Sequence, residues 1–439
     1  MDHLFEHTSI KKAYFTLALP VVLSMIVNLV YNMVDTFFVS QTQNPALVAG
    51  VSQSAPIFTF LIALGDIFGL GGSSVISRLF GNKKFKTGRN VSGFAFYGAL
   101  FTGIITAIIL LIARTPLLHL LGASPTTWQY ASQYYTILVF GAPAIVFSLA
   151  PSNILRTEGL AVSSMKASVI GTVTNIILDP IFISGFHWGA AGAAGATVLS
   201  QIISALMLAY YTGVKSQRLT VSIRETKISR HLQREILAIG IPASITNIMI
   251  TFATAVTNNF LIQYGADSVA AMGIATKISM IINLIFVGFA FGAQPLIGYT
   301  YGAKDAQRFR AVVKFDLQVI ISFSLLMTLV IWLLAPWLMS QFLHDSVIIA
   351  KGTTMIRWLV SSSVFAGIIL VFTTIFQSLG KAQPAGWLSI SRQGIIFVIV
   401  IVIAHAFFGY QGVIMAQCLA DILTALLALL FWLKYQPKF

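Results

Sequence analysis

Twelve apolar runs of membrane-spanning length dominate this chain, at about 14–40, 51–80, 93–113, 132–155, 167–186, 189–213, 236–263, 268–300, 315–343, 355–379, 387–408 and 411–433. A run of about 18 or more such residues crosses hydrocarbon as a helix, because no water is present there to satisfy an open backbone. The alternating ten-residue segments of a membrane barrel are absent. Only 9% of the 439 residues are charged, against roughly 25% in a soluble domain. The expected class is an all-α polytopic membrane protein with twelve transmembrane helices. The opening MDHLFEHTSIKK lacks the short apolar core and cleavage site of a signal peptide, so the first span is expected to stay.

The net charge of +14 would suit a nucleic-acid partner, but its placement argues against one. The cations cluster after spans 2, 6 and 8, within 83–89, 215–234 and 304–314. Lys11, Lys12, Arg156, Lys166, Lys381, Lys434 and Lys438 add to them. All fall on one side of the membrane when twelve spans alternate. The other side carries Arg114, Lys351 and Arg357. The excess of Lys and Arg marks the cytoplasmic side. Both termini are therefore expected in the cytoplasm, in the cytoplasmic membrane of a prokaryote, with the lipid bilayer as partner and no nucleic acid. One cysteine, Cys418, allows no intrachain disulfide.

The two halves of the chain resemble each other at a shift of about 221 residues. Phe80-Gly81-Asn82-Lys83-Lys84 answers Tyr301-Gly302-Ala303-Lys304-Asp305, and Pro20 answers Pro242. Leu155-Arg156-x-x-Gly159 answers Phe376-Gln377-x-x-Gly380. Gly189-x-x-Gly192-x-x-x-Ala196-x-x-Leu199 answers Gly409-x-x-Gly412-x-x-x-Ala416-x-x-Leu419. Six spans per half is an even number, so both halves enter from the same side. They are expected as two six-helix lobes related by a pseudo-two-fold axis along the membrane normal. The boundaries are 1–214, a basic cytoplasmic linker 215–234, and 235–439. Two lobes around a central cleft suit a transporter better than a static channel or scaffold.

Span 5, VIGTVTNIILDPIFI, places Asn175 and Asp179 four residues apart on one helix face. Pro180 is expected to bend the backbone there and free a carbonyl. Counting about 1.5 Å per residue from the outer ends puts Asp35 roughly 9 Å down span 1, Asp179 roughly 10 Å down span 5 and Thr197 roughly 12 Å down span 6. Three helices thus bring oxygen ligands to one level. Tyr31 lies one turn below Asp35, and Asn28 follows on the same stripe. Two carboxylates in a dry site should not both ionise without a cation. The set suits a proton, or a hard cation such as Na+ at Asp35 and Asp179 with Asn175 and Thr197.

Other polar groups within the spans are weighed separately. Asp66 is expected either to line an inward cavity or to cap backbone beside Gly65 and Gly69. Lys277 and Asp421, at similar depths near 15 Å, are expected to form a structural ion pair in the second lobe. His405 has no second His or Cys spaced to join it, so it is expected to hydrogen-bond rather than bind metal. Asn28, Met33, Asp66 and Met280 are expected to line the substrate cavity, the methionines giving it a soft wall. Glycines of spans 2 and 6 are expected to serve close helix packing.

These residues resemble the multidrug and toxic compound extrusion (MATE) family over essentially the whole chain, and most closely its DinF-like and MepA-like branch. Pro20 and Asp35 of helix 1, Asn175-Ile-Ile-Leu-Asp179-Pro180 of helix 5 and Thr197 of helix 6 carry the resemblance, with the Leu155-Arg156-x-x-Gly159 loop and the doubled six-span plan. The resemblance implies exchange of H+ or Na+ for organic, often cationic, drugs. It implies a cation site at Asp35, Asn175, Asp179 and Thr197, with Tyr31 in its hydrogen-bond network and a helix bend at Pro20. The NorM-like branch has a glutamate in helix 7. Here 245–260 contains Asn247, Asn258 and Asn259 but no acid. No site of that type is therefore expected.

The expected function is a secondary active multidrug efflux transporter that exchanges H+ or Na+ for amphipathic organic cations, working as a monomer and without a cofactor. Aspartates outnumber lysines within the spans, which suits cationic cargo. The alternative is a flippase or exporter of lipid-linked or other amphipathic metabolites, whose phosphate would call for cavity arginines. An intramembrane enzyme is disfavoured. Ala63-Leu64-Gly65-Asp66 lacks the first glycine of an aspartyl-protease element, and no His-Glu-x-x-His occurs.

Overall fold

The computed structural model describes residues 3–342 and 345–437. Lys438, one of the cations expected on the cytoplasmic side, and the side chain of Asn247 lie outside what is described. Among the described residues the regular structure is all helical. Eleven helices among the described residues are long and apolar enough to cross a membrane, and a bent pair makes a twelfth when taken as one span. They are α1 (Ile10–Gln41), α2 (Pro45–Gly81), α3 (Phe85–Ile112), the bent α4 (Trp128–Phe140 with Ala142–Glu158), α5 (Ala161–Gly185) and α6 (Gly189–Lys215). The second half holds α7 (Arg230–Tyr264), α8 (Ala266–Gly302), α9 (Ala306–Ser340), α10 (Ser346–Ser378), α11 (Ala382–Phe408) and α12 (Tyr410–Tyr435). The chain is thus a multi-pass membrane protein. The 50° bend of α4 falls at Gly141. Pro143 follows two residues on and has no N–H to continue the ladder.

The internal repeat is written in backbone geometry. Gly159 and Gly380 hold φ +82° and +74°, Lys83 and Lys304 hold +59° and +57°, and Gly189 and Gly409 hold +52° and +55°. Left-handed backbone is uncommon outside glycine, so its recurrence at matched lysines reflects one turn built twice. Helices α2 and α8 are both 37 residues long, roughly 55 Å at 1.5 Å per residue, and so extend past a core of about 30 Å.

Contacts group the chain into two units. One comprises Met1–His7 with Leu23–Ser244, and the other Thr8–Val22 with Ile245–Phe439. Helix α1 therefore changes unit after Val22, and α7 after Ser244, each two residues beyond its internal proline, Pro20 and Pro242.

Within the first unit, α2 packs on α3 and on the second half of α4. Gly65 and Gly69 lie so close to Leu149 that a Cβ would meet its atoms at 2.7 Å. The basic stretch 215–234 is tied to side chains of the first unit. The Glu158 carboxylate accepts from the Ser216 hydroxyl and from the amides of Gln217 at 2.9 Å and Arg218 at 3.1 Å. Tyr97 donates to the Val221 carbonyl at 2.7 Å, and Arg89 pairs with Glu225 at 2.8 Å. A hydrogen bond from Thr220, then Arg89, holds the Glu225 carboxyl below its ordinary range. In the second unit α8 packs against α9 and α10, and α11 against α12.

Candidate functional site

Helix α5 does not break at Pro180. Its last stretch, Pro180–Gly185, widens into a π-helical turn, with the Phe186 amide reaching back to the Ile181 carbonyl at 2.8 Å. The wider turn accommodates a proline that cannot donate and keeps Asn175 and Asp179 on the same face. Helix α6 is brought against that turn by Gly192, where a Cβ would stand 2.8 Å from both the carbonyl carbon and oxygen of Phe182. Gly171 plays the same part lower on α5, where a Cβ would meet Ser204 Cβ at 2.9 Å and the Ser200 carbonyl at 3.0 Å. Gly195 meets only the Phe182 ring, at 3.7 Å. The expectation of close packing thus holds for Gly192 but not equally for every small residue of α6.

This approach assembles a polar cluster inside the first unit. With its amide nitrogen turned toward Asp179, Asn175 donates to Asp179 Oδ2 at 3.0 Å and accepts from the Thr197 backbone amide at 3.1 Å. The Thr197 hydroxyl lies 3.4 Å from the Tyr31 hydroxyl. Asp179 is fully buried, at 0% exposure, and Asn175 and Thr197 are nearly so. Asp35 is less enclosed, but its charge acts on Asp179 and on Tyr31. One turn below Tyr31, Asn28 accepts from the Thr172 hydroxyl at 3.2 Å and ties α1 to α5 again. The depth count from sequence therefore brings together Asp35, Tyr31, Asn175, Asp179 and Thr197.

Two oxygens in this cluster are left over. Asp35 Oδ1 and Asp179 Oδ1 are buried without a hydrogen-bond partner. No Lys or Arg acts on either carboxyl among the described residues. Two acids that share an enclosed site repel when both are charged, and a proton or a cation between them would relieve that repulsion. The donor set of carboxylate, amide and hydroxyl oxygens is that of a hard monovalent ion or a proton.

Sequence reasoning missed Tyr134 of α4. It is buried, and Thr197, Asp35 and Asp179 all act on its hydroxyl. The signal was available. Tyr134 lies six residues from the start of α4 at Trp128, about 9 Å along it, which matches the depths counted for Asp35, Asp179 and Thr197.

The remaining candidates lie elsewhere. Met33 and Met280 are 63% and 49% exposed. Asp66 acts on the buried Arg156 of the Leu155-Arg156 loop, a partner neither reading of Asp66 included. The expected ion pair of Lys277 with Asp421 does not form. Lys277 is exposed, and Asp421 instead accepts from Arg392 Nε at 3.0 Å and from Gln417 Nε2 at 2.9 Å. Arg392 lies in a π-helical turn, Ser391–Ile395, that shifts its phase on α11. His405 lies 3.0 Å from both Gln263 Nε2 and the Tyr264 hydroxyl, a hydrogen-bonded role as expected.

Substituting Gly192 tests how the cluster is assembled. Gly192→Val should push α6 off α5 and cost about 1–3 kcal/mol or more by overpacking, with loss of ion-dependent stabilisation. Gly195→Ala should be close to neutral. Thermal melting with and without Na+ separates the two, and equal behaviour of both variants would show that Gly192 does not set the approach.

The sequence pattern of the MatE family matches this chain twice, over residues 20–181 and 242–403, so each match begins at one of the paired prolines. A multidrug export protein MepA of Staphylococcus aureus (strain NCTC 8325) is 30% identical over 431 residues, covering 98% of this chain and 94% of that protein. The MepA of Staphylococcus saprophyticus is 28% identical over 428 residues with the same coverage. Among solved structures, a MATE protein crystallised with MaL6 superposes with a TM-score of 0.92 at 28% identity, over 98% of this chain and 96% of that one. A MATE transporter of the MOP superfamily in an outward-facing conformation matches equally well, with a TM-score of 0.92 at the same identity and coverage.

Proposed function

The chain belongs to the MatE family, which comprises transporters and not enzymes, and from this premise we propose that it is a secondary active multidrug exporter. It exchanges H+ or Na+ for amphipathic organic cations across the cytoplasmic membrane of a prokaryote. Both termini are cytoplasmic, and the working unit is a monomer with lobes 1–214 and 235–439, apart from the ends of α1 and α7 that the two units exchange. The observation that carries this reading is the pair of orphaned, buried carboxylate oxygens on Asp35 and Asp179.

Asp35 and Asp179 take up the coupling ion. Asn175 holds one oxygen of Asp179 in place, leaving the other free for the ion. Thr197, Tyr31 and Tyr134 connect the helices through hydroxyls that reorient as the ion enters or leaves. Pro20 and Pro180 lack a donor, so the helix yields there at lower cost than elsewhere. A bend at Pro20 would carry Tyr31 and Asp35 away from α5 while the inner half of α1 stays put. Asn28, Met33, Asp66 and Met280 are assigned to the cargo pathway on the sequence argument alone. A membrane potential of 100 mV adds about 2.3 kcal/mol per charge moved inward, enough for either ion to drive export.

Transport of an organic cation in proteoliposomes, with proton and sodium gradients imposed separately, tests the reading. Efflux driven by one gradient identifies the coupling ion, and efflux driven by neither refutes coupling. Thr197→Ala removes one hydroxyl ligand and should weaken sodium dependence about tenfold, or about 1.4 kcal/mol, if Na+ couples. An unchanged sodium titration, alongside proton-driven efflux, assigns the site to H+.

A further inference from the structure

A second buried acid lies outside this cluster, in the other unit. Asp316 of α9 is fully buried, and Tyr14 of α1 donates to its Oδ1 at 2.8 Å. Its Oδ2 is buried with no hydrogen-bond partner. Both residues belong to the unit formed by Thr8–Val22 and Ile245–Phe439. Tyr14 is itself enclosed by rings. It stands edge-on to Phe15 and Phe315, with centroids at 5.4 and 5.2 Å, and stacks on Phe289 at 6.4 Å.

Among the described residues no charge offsets this carboxyl. On α9, Arg310 and Lys314 are exposed, and Arg308 donates to the Thr8 carbonyl at 2.6 Å. Lys11 and Lys12 of α1 are exposed. Helices α8 and α10 pack against α9. The charged groups of α8 are Asp267 and the exposed Lys277. Those of α10 are Lys351, which points to Ser268, and Arg357, which reaches the Trp332 carbonyl far along α9. Among the described residues only Tyr14 acts on Asp316. An ionised carboxylate sealed among aromatic rings with one neutral donor is far costlier than a neutral acid with one unmatched oxygen.

We propose that Asp316 binds a proton in this conformation and that the neutral acid, through Tyr14, latches the inner half of α1 onto α9. Loss of the proton leaves a carboxylate that must draw in water or a cation, and the latch opens. The inference does not depend on Asp35 and Asp179 being the coupling site. It adds a proton site within the second unit, between the Thr8–Val22 stretch of α1 and α9.

The test is infrared spectroscopy of the full chain in lipid nanodiscs at neutral pH, reading the carbonyl stretch of protonated carboxylic acids. Asp316→Asn is isosteric, keeps an acceptor for Tyr14, and should lose one acid band. Tyr14→Phe should keep the band but shift it upward, because the acid carbonyl loses its donor. Superimposable spectra for wild type and Asp316→Asn would show the group ionised and overturn the proposal. If Asp316→Asn does not fold, the Tyr14→Phe spectrum decides alone, since an unshifted band excludes Asp316 as its source. The latch is read separately by spin labels at Thr16→Cys and Gln318→Cys in a Cys418→Ala background. The distance distribution should broaden at the pH where the band vanishes and stay fixed in Asp316→Asn. An unchanged distribution across that pH would overturn the latch.

Discussion

Asp179→Asn should leave a folded protein in the membrane that no longer exports drug down an imposed ion gradient. The amide is the same size and still accepts from Asn175 at the position of Oδ2. What it loses is the negative charge of a fully buried side chain, which on the proposed function is what binds the coupling ion. The expected loss of efflux rate is about a hundredfold or more, equivalent to about 2.7 kcal/mol. Asp35→Asn should act alike, and the double variant should be little worse than either single one, because the two acids work as one unit. Efflux from proteoliposomes at the wild-type rate in either single variant would refute the site assignment.

The largest effect on stability is expected at Arg392. Asp421 is fully buried and holds Arg392 and Gln417 by separate bonds to Oδ1. Arg392→Met removes the only cation that acts on it among the described residues. Stranding one partner of a buried pair costs about 3–5 kcal/mol. Replacing both, as Arg392→Met with Asp421→Leu, should recover most of that loss, because the interior then holds no unpaired charge. Melting of purified protein in detergent checks the comparison. A single variant as stable as wild type would show that the pair contributes nothing, and a double variant no better than the single would show that Arg392 supports the fold by packing alone.

The fold was legible because hydrocarbon permits so few solutions. Length and polarity alone marked the spans, and the repeat was visible in glycines whose roles are steric. The expectation of twelve helices follows from the same constraint. Much of the candidate site was also legible, because rise per residue fixes depth. Depth placed Asp35, Asp179 and Thr197 at one level, and their shared cluster satisfies it.

Azimuth was not legible. Lys277 and Asp421 share a depth but not a direction, since Lys277 faces outward and a π-helical turn carries Arg392 to Asp421 instead. Asp316 stands at the start of the ninth span, two residues after Lys314, where nothing in the sequence separates a buried acid from its exposed basic neighbours. Tyr134 has a matching depth, but depth alone does not say which of the chain's many aromatic residues faces the cluster. In each case the missing quantity was the rotation of a helix about its own axis. That rotation is set by neighbours, by glycines such as Gly192, and by local departures from 3.6 residues per turn.

The exchange of α1 and α7 between the two units bears on how such a protein could be taken apart. A chain severed within 215–234 would yield two products, neither of them self-sufficient. The leading fragment would lack the stretch that ends at Ser244, and the trailing fragment would lack Thr8–Val22 and with it the mate of Asp316. Each piece would have to borrow a strap from the other to close its core. A duplicated gene has in this way become a single indivisible object, whose halves can drift apart in chemistry but not in custody of one another's framework.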